Sequence, residues 1–277
     1  MEFETKVQFL TQPEHNRRTI VISDIHGHRA WLEKLLKKVD FSEKDILIIV
    51  GDMIEKGPES LNTIRYIMEL CEKYTVYPMM GNVDLWRIQM LLTEDGSLDQ
   101  ELYETNERMR QYWKATFFQD FCREAGVSVK TPEEIPAARE AVVAKFQKEL
   151  TFMKELPTIL VTPAFTFVHG GLVHEKLEDN FHLPPFQLLK NDNFINQGKH
   201  FDKYVVVGHW PVCLYRSDIE SSAPYISEEQ KIIAIDGGCG IKRDDQLNAL
   251  IIPDLYSEKT TWESVDDFPE AVVLEDF

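Results

Sequence analysis

The chain has 277 residues, with 30 Lys plus Arg against 47 Asp plus Glu and a formal net charge of −17. An acid surplus of that size repels nucleic acid and anionic lipid, which argues against a duplex-binding or membrane-surface protein. It leaves room for a phosphorylated substrate, because bound dications reverse the field locally. The length suits one domain spanning residues 1–277, and no apolar run is long enough to span a bilayer. Cys71, Cys122, Cys213 and Cys239 are widely spaced without a C-x-x-C pair, and the start lacks a signal-peptide pattern. Both features predict reduced thiols and a cytoplasmic protein.

In chain order, residues 1–17 form a polar lead-in with little pattern. Residues 19–23 read as a strand that ends in Asp24-Ile25-His26-Gly27-His28. Trp31, Leu32, Leu35, Leu36 and Val39 then repeat at helical spacing and predict a crossover helix. Residues 46–50 are an unbroken apolar run, the pattern of a strand covered on both faces. That run stops at Gly51-Asp52, and Pro58 opens a helix carried by Leu61, Ile64 and Leu70. Residues 75–80 form a third strand, ending in Gly81-Asn82-Val83-Asp84. Leu85, Ile88 and Leu91 predict a short helix, broken at Asp95-Gly96-Ser97. Residues 98–125 carry aromatics among charges, and Pro132 opens another helical stretch to about Leu156. Residues 95–156 therefore read as a helical insertion or cap, its aromatic stripe serving helix packing.

The remaining strands, 165–168 and 204–207, end in His169-Gly170-Gly171 and Gly208-His209-Trp210-Pro211. The segment between them is irregular, a length of loop that near a site is often functional. Five strands thus finish on a metal-capable side chain beside a glycine that lets backbone crowd the site. The pooled donors are Asp24, His26, Asp52, Asn82, His169 and His209. Two carboxylates, three imidazoles, one amide and no thiolate suit Mn²⁺, Fe²⁺ or Zn²⁺ in an open catalytic site.

These five blocks resemble those of the phosphoprotein-phosphatase-type, calcineurin-like metallophosphoesterases, in the bacterial branch that includes diadenosine tetraphosphatases. The resemblance implies an α/β sandwich of four layers, two mixed sheets flanked by helices. It implies two divalent ions, with Asp24 and His26 on the first, Asp52 bridging, and Asn82, His169 and His209 on the second. Two such ions about 3.5–4 Å apart can share a hydroxide and aim it in line at phosphorus. The resemblance also implies a closing hairpin from residues 232–235 and 247–252 around Asp236-Gly237-Gly238-Cys239-Gly240. Asp236 is then a partner for a ligand histidine or a plain turn carboxylate. The acidic tail from Asp254 is expected to hold an edge strand.

The departures from the family pattern bear on chemistry. Where the family has a proton-donating His after its Asn ligand, this chain has Val83, and the Asp that orients it is Glu55. The phosphate-gripping Arg is Lys56, which keeps the charge without the planar fork. A second family Arg falls near Lys190-Asn191-Asp192, where none stands. Lys56 is expected to act on the phosphoryl group, and His28, Asp84 and His174 are candidates to replace the lost acid, although His28 reads equally as a solvated first-turn residue. Without a general acid, worth about 10²–10⁴-fold, good leaving groups are favoured. The expected substrates are nucleotide or dinucleotide polyphosphates or activated esters. The alternatives are a serine/threonine protein phosphatase acting on phosphoproteins, and a degenerate, non-enzymatic binder of a phosphorylated ligand or partner.

Overall fold

A computed structural model describes residues 3–113, 115–216, 221–240 and 246–266. The first part carries β1 (Val7–Phe9), β2 (Thr19–Ile22), α1 (Arg29–Lys38), β3 (Ile46–Val50), α2 (Ser60–Lys73), β4 (Thr75–Met79) and α3 (Asn82–Leu92). Then come α4 (Asp99–Tyr112), α5 (Phe117–Ala125), α6 (Ile135–Lys145) and α7 (Gln147–Lys154). The last part carries β5 (Ile159–Val161), β6 (Phe165–Val168), α8 (Pro185–Leu189), β7 (Tyr204–Val207), β8 (Tyr225–Ser227), β9 (Ile232–Ala234), β10 (Leu247–Ile252) and β11 (Thr261–Val265).

The strands form two sheets, ordered β11-β10-β2-β3-β4 and β1-β5-β6-β7-β9-β8. In the first, β2, β3 and β4 run parallel and the hairpin β10–β11 closes one side antiparallel. In the second, β6, β7 and β9 run parallel. Alternation along β3 explains its unbroken apolar run. Leu47 and Ile49 join the helix-side core with Leu35, Leu61 and Ile64, while Ile48 and Val50 meet Phe165, Phe167 and Val206 between the sheets. A third cluster sets Val205 and Val207 against Leu188 of α8. The result is the expected layering: helices, sheet, sheet, helices with loops. Pro78 sits on the edge strand β4, where a missing N–H is tolerated.

Helices α4–α7 pack into the same core as α1 and α2. Phe117 and Phe121 are fully buried with ring centroids 4.4 Å apart, and Phe121 meets Phe146 at 4.9 Å. The single aromatic run expected over 98–125 is two helices. The chain leaves α4 at Trp113, and Thr116 Oγ1 caps α5 by accepting the Gln119 N–H at 3.1 Å.

Three further differences from expectation have physical causes. The lead-in is not patternless, since β1 pairs with β5 in parallel. The closing hairpin is absent: β9 lies in one sheet and β10 in the other. The Asp236–Gly240 turn instead crosses the sandwich, and Asn248 of β10 donates its side-chain N–H to the Ile235 carbonyl at 3.0 Å. Strand β8 arises between the expected strands at 204–207 and 232–235 and pairs with β9. The tail supplies the expected edge strand as β11, while residues 267–277 lie outside the described residues. None of the four cysteines is disulfide-bonded, and burial pushes the Cys71 thiol up to about 11 and that of Cys122 up to about 12. Among the described residues, no helix is long and apolar enough to cross a membrane.

Candidate functional site

The site forms where the parallel strands of both sheets stop. After β2, β3 and β7 the backbone turns left-handed on residues that carry the donors. φ is 54° at Asp24, 48° at His26, 51° at Asp52 and 66° at His209. Such conformations cost roughly 1–3 kcal/mol each outside glycine, so the surrounding structure must hold them. Glu55 and Lys56 repeat the feature at 72° and 65°.

These turns bring all six predicted donors together. His26 donates from Nδ1 to the Ile54 carbonyl at 3.1 Å, which turns Nε2 toward Asp24 Oδ1 at 3.8 Å and Asp52 Oδ2 at 3.7 Å. Asp52 Oδ1 accepts the Val83 N–H at 2.9 Å and lies 3.3 Å from His169 Nε2. The His169 ring is fixed the same way, with Nδ1 donating to the Val50 carbonyl at 2.8 Å. Asn82, first residue of α3, places Oδ1 3.0 Å from His169 Nε2 and 2.8 Å from His209 Nδ1. The His209 N–H closes the ring onto Asp24 Oδ2 at 3.1 Å. Glycines make the closeness possible. A Cβ on Gly81 would stand 2.1 Å from the Asp52 nitrogen, and one on Gly208 2.3 Å from Asp24 Oδ2.

The donor set fits divalent cations. Asp24, His26 and Asp52 each offer a ligand atom, all within 4.8 Å of one another. Asp24 Oδ1 is buried without a hydrogen-bond partner, a condition that most buried polar atoms avoid. Burial, then the nearby Asp236, drives the Asp24 carboxyl well above its ordinary range. For Asp52 burial pushes upward too, but His169, His26 and Lys56 together outweigh it and hold the carboxyl low. Burial alone would lower His169, yet Asp52 and Asp24 lift it to about 10. Burial and the neighbouring His169 lower His209 to about 4. Compressed charges of this kind are what a bound cation would relieve.

The other expected residues divide. Lys56 reaches in, its Nζ 2.6 Å from His26 Nε2. Asp84, expected among the candidate acids, has two backbone amides as partners. Fully buried at the third residue of α3, it accepts the Met53 N–H and the Gly81 N–H, both at 3.0 Å, and so ties two site loops together. Burial and Asp52 raise it to about 7. His28 stands at the site edge, with Nδ1 donating to the Ile25 carbonyl at 3.1 Å and its ring stacked on Trp31 at 4.0 Å. His174 is exposed on the following loop, its backbone held by Asn180, and no contact among the described residues joins it to the donors. Asp236 is buried, with Oδ1 accepting the Gly238 N–H at 2.8 Å and Oδ2 without a partner. Burial raises it to about 6.

Two features escaped the sequence reading. Asp192, in the loop where an arginine was sought, accepts from His209 Nε2 at 2.7 Å and from Lys190 Nζ at 3.0 Å. Arg87 on α3 is buried and donates from Nε to Glu55 Oε2 at 2.5 Å. An arginine among Leu85, Ile88 and Leu91 on an apolar helix was the available signal.

Residues 17–232 match the family profile of the calcineurin-like phosphoesterases. A symmetrical bis(5'-nucleosyl)-tetraphosphatase of Coxiella burnetii is 34% identical over 92 residues, 33% of this chain and 30% of that protein. Another, from Shewanella loihica, is 46% identical over 68 residues, 24% of each. The similarity thus spans less than a third of the length of these curated relatives. Two solved structures share the fold. One, of a protein provisionally assigned as a diadenosine tetraphosphatase, has a TM-score of 0.57 at 20% identity, covering 96% of this chain and 99% of that one. The other, a protein serine/threonine phosphatase from Saccharomyces cerevisiae, has a TM-score of 0.54 at 12% identity, covering 96% and 85%.

Proposed function

Because the chain belongs to the calcineurin-like phosphoesterase family, we propose that it hydrolyses phosphoanhydrides and activated phosphate esters, with nucleotide and dinucleotide polyphosphates as the substrate class. In this reading Asp24, His26 and Asp52 hold one divalent ion, and Asp52, Asn82, His169 and His209 hold a second. The nitrogen and oxygen donors suit Mn²⁺, with Fe²⁺ or Zn²⁺ as alternatives. Bound there, such ions supply Lewis acidity toward phosphoryl oxygens and make water acidic enough to attack at neutral pH.

The chain's own residues orient and select. The backbone carbonyls of Ile54 and Val50 fix the tautomers of His26 and His169, leaving each Nε2 turned inward. Lys56 puts a single ammonium charge where a phosphoryl oxygen would lie, a point contact rather than a fork.

The observation that carries the substrate class is at the second residue of α3. Val83 spends its N–H on Asp52, and its side chain packs against the helix-side core. Glu55, the carboxylate nearest in role to an orienting group, is spent on Arg87 and on the Phe117 N–H. Among the described residues, no positioned acid stands there to protonate a departing alkoxide, whereas a nucleotide phosphate leaves without help. Of the three candidate donors, only His28 at the site edge keeps a place from which to contribute. The two tetraphosphatase relatives support the same class.

The test is a comparison of kcat/KM for diadenosine tetraphosphate and for a phosphoserine peptide with the Mn²⁺-loaded protein. The dinucleotide is expected to lead by at least 100-fold, the lower end of what a general acid contributes. Faster cleavage of the peptide would establish a protein phosphatase instead, and failure to cleave either would favour a binder of phosphorylated ligands.

A further inference from the structure

The tripeptide that carries Lys56 is gripped from the insertion side. Ile54 accepts from His26, Glu55 and Lys56 are both left-handed, and Gly57 donates its N–H to the His26 carbonyl at 2.7 Å. A Cβ on Gly57 would stand 2.3 Å from that carbonyl oxygen. Two successive left-handed residues are strained, so something must hold them.

What holds them is the Glu55 side chain. It is buried, with one oxygen accepting Arg87 Nε at 2.5 Å and the other accepting the Phe117 N–H at 3.2 Å. Its own N–H donates to Ser60 Oγ at 3.0 Å. Arg87 belongs to α3, whose first residue is Asn82, and Phe117 is the first residue of α5 within the helical insertion. The ion pair is almost wholly shielded, with the two side chains 4% and 3% exposed. The Arg87 guanidinium lies over the Trp86 ring at 4.8 Å. Its Nη1 has no partner among the described residues, and Arg87 borders a cavity of about 10 Å³ lined also by Thr105, Asn106 and Thr116, room for at most one water.

A buried ion pair is a poor source of net stability, because desolvation offsets most of its attraction. Its value lies in fixing geometry. We infer that Glu55 and Arg87 are positioning residues, through which α3 and the helical insertion aim Lys56 at the substrate's phosphoryl group. This rests on the reading of Lys56 as the phosphoryl-gripping charge. Glu55 and Arg87 touch no substrate. They set the direction of the next side chain in the sequence, so the insertion tunes how tightly a phosphoryl oxygen is held.

The test is a coupling cycle on the full-length Mn²⁺-loaded protein, with inorganic phosphate as the calorimetric probe and metal stoichiometry measured alongside. Lys56→Gln removes the grip and should weaken phosphate binding about 10- to 100-fold, as loss of a charged hydrogen bond does. The double variant Glu55→Gln, Arg87→Met removes both buried charges together, avoiding a lone one. It should weaken phosphate by a similar factor and leave metal stoichiometry unchanged. Combining all three should be no weaker than Lys56→Gln alone, because residues acting through one group are not additive. Losses that multiply in the triple variant, or a double variant that binds phosphate within twofold of the parent, would overturn the positioning role alone. An unchanged Lys56→Gln would overturn the reading of Lys56 and the inference with it. If the double variant does not accumulate, Arg87→Lys takes its place. Expected there is a smaller loss that vanishes in the Lys56→Gln background, and a loss that persists in that background overturns the inference.

Discussion

Gly208→Ala isolates one contact of the site. Gly208 is not among the positive-φ glycines, so alanine suits its backbone and only the added methyl matters. That carbon would stand 2.3 Å from Asp24 Oδ2 and 2.7 Å from Ser23 Oγ. Ordinary contact begins near 3.4 Å, so the carboxylate must retreat by about 1 Å. Asp24 Oδ2 also accepts the His209 N–H at 3.1 Å, and a retreat of that size breaks the bond. A hydrogen bond to a charged group is worth about 1.5–3 kcal/mol, which predicts Mn²⁺ affinity lower by roughly 10- to 150-fold. Overpacking adds about 1–3 kcal/mol of destabilisation, or roughly 2–12 °C in melting temperature at about 2–4 °C per kcal/mol. Calorimetric titration with Mn²⁺ and a melting curve in EDTA separate the two effects. Mn²⁺ affinity within twofold of the parent would refute the placement of Asp24 against the Gly208 backbone.

Metal should stabilise the whole fold, since Asp24, Asp52 and the three histidines are compressed against one another. Mn²⁺ at about 100 times its dissociation constant should add about 2.7 kcal/mol, a rise of roughly 5–11 °C. A melting temperature indifferent to Mn²⁺ and EDTA would count against a metal site. Asp192→Asn removes the carboxylate from His209 Nε2 and should weaken Mn²⁺ binding about 10- to 100-fold. Equal affinities would make Asp192 a bystander. Val83→His returns an imidazole to α3 but finds Glu55 committed to Arg87 and Phe117. Phosphoserine-peptide cleavage should therefore rise less than about tenfold, against the 10²–10⁴ of a properly oriented acid. A gain above 100-fold would show that orientation comes from elsewhere.

The six side chains that the fold gathers were legible in the sequence because they sit where physics makes sequence plain. Strand β3 is covered on both faces, so its apolar run is unbroken and its end at Gly51-Asp52 is sharp. Strand β1 was not legible: with Val7 half-buried and Gln8 and Phe9 exposed at a sheet edge, little constrains its pattern. The expected hairpin between residues 232–235 and 247–252 failed for another reason. A glycine turn between two apolar strands looks the same whether they pair or enter different sheets, and here they part. The partners of Asp84 were not legible, since the two backbone amides it accepts from belong to separate loops that only the fold brings together. Arg87 and Glu55 are 32 residues apart, and only the fold joins them.

The central claim is that the leaving group departs without a proton. It is tested most directly by kcat/KM for a series of aryl phosphates of graded leaving-group pKa, with Asp52→Asn as the control for a contaminating hydrolase. Without a general acid, the rate should fall steeply as leaving-group pKa rises, and the Asp52→Asn protein should lose activity on every member. A shallow dependence, abolished by Asp52→Asn, would mean that a donor outside the α3 terminus protonates the leaving group, and would contradict the account.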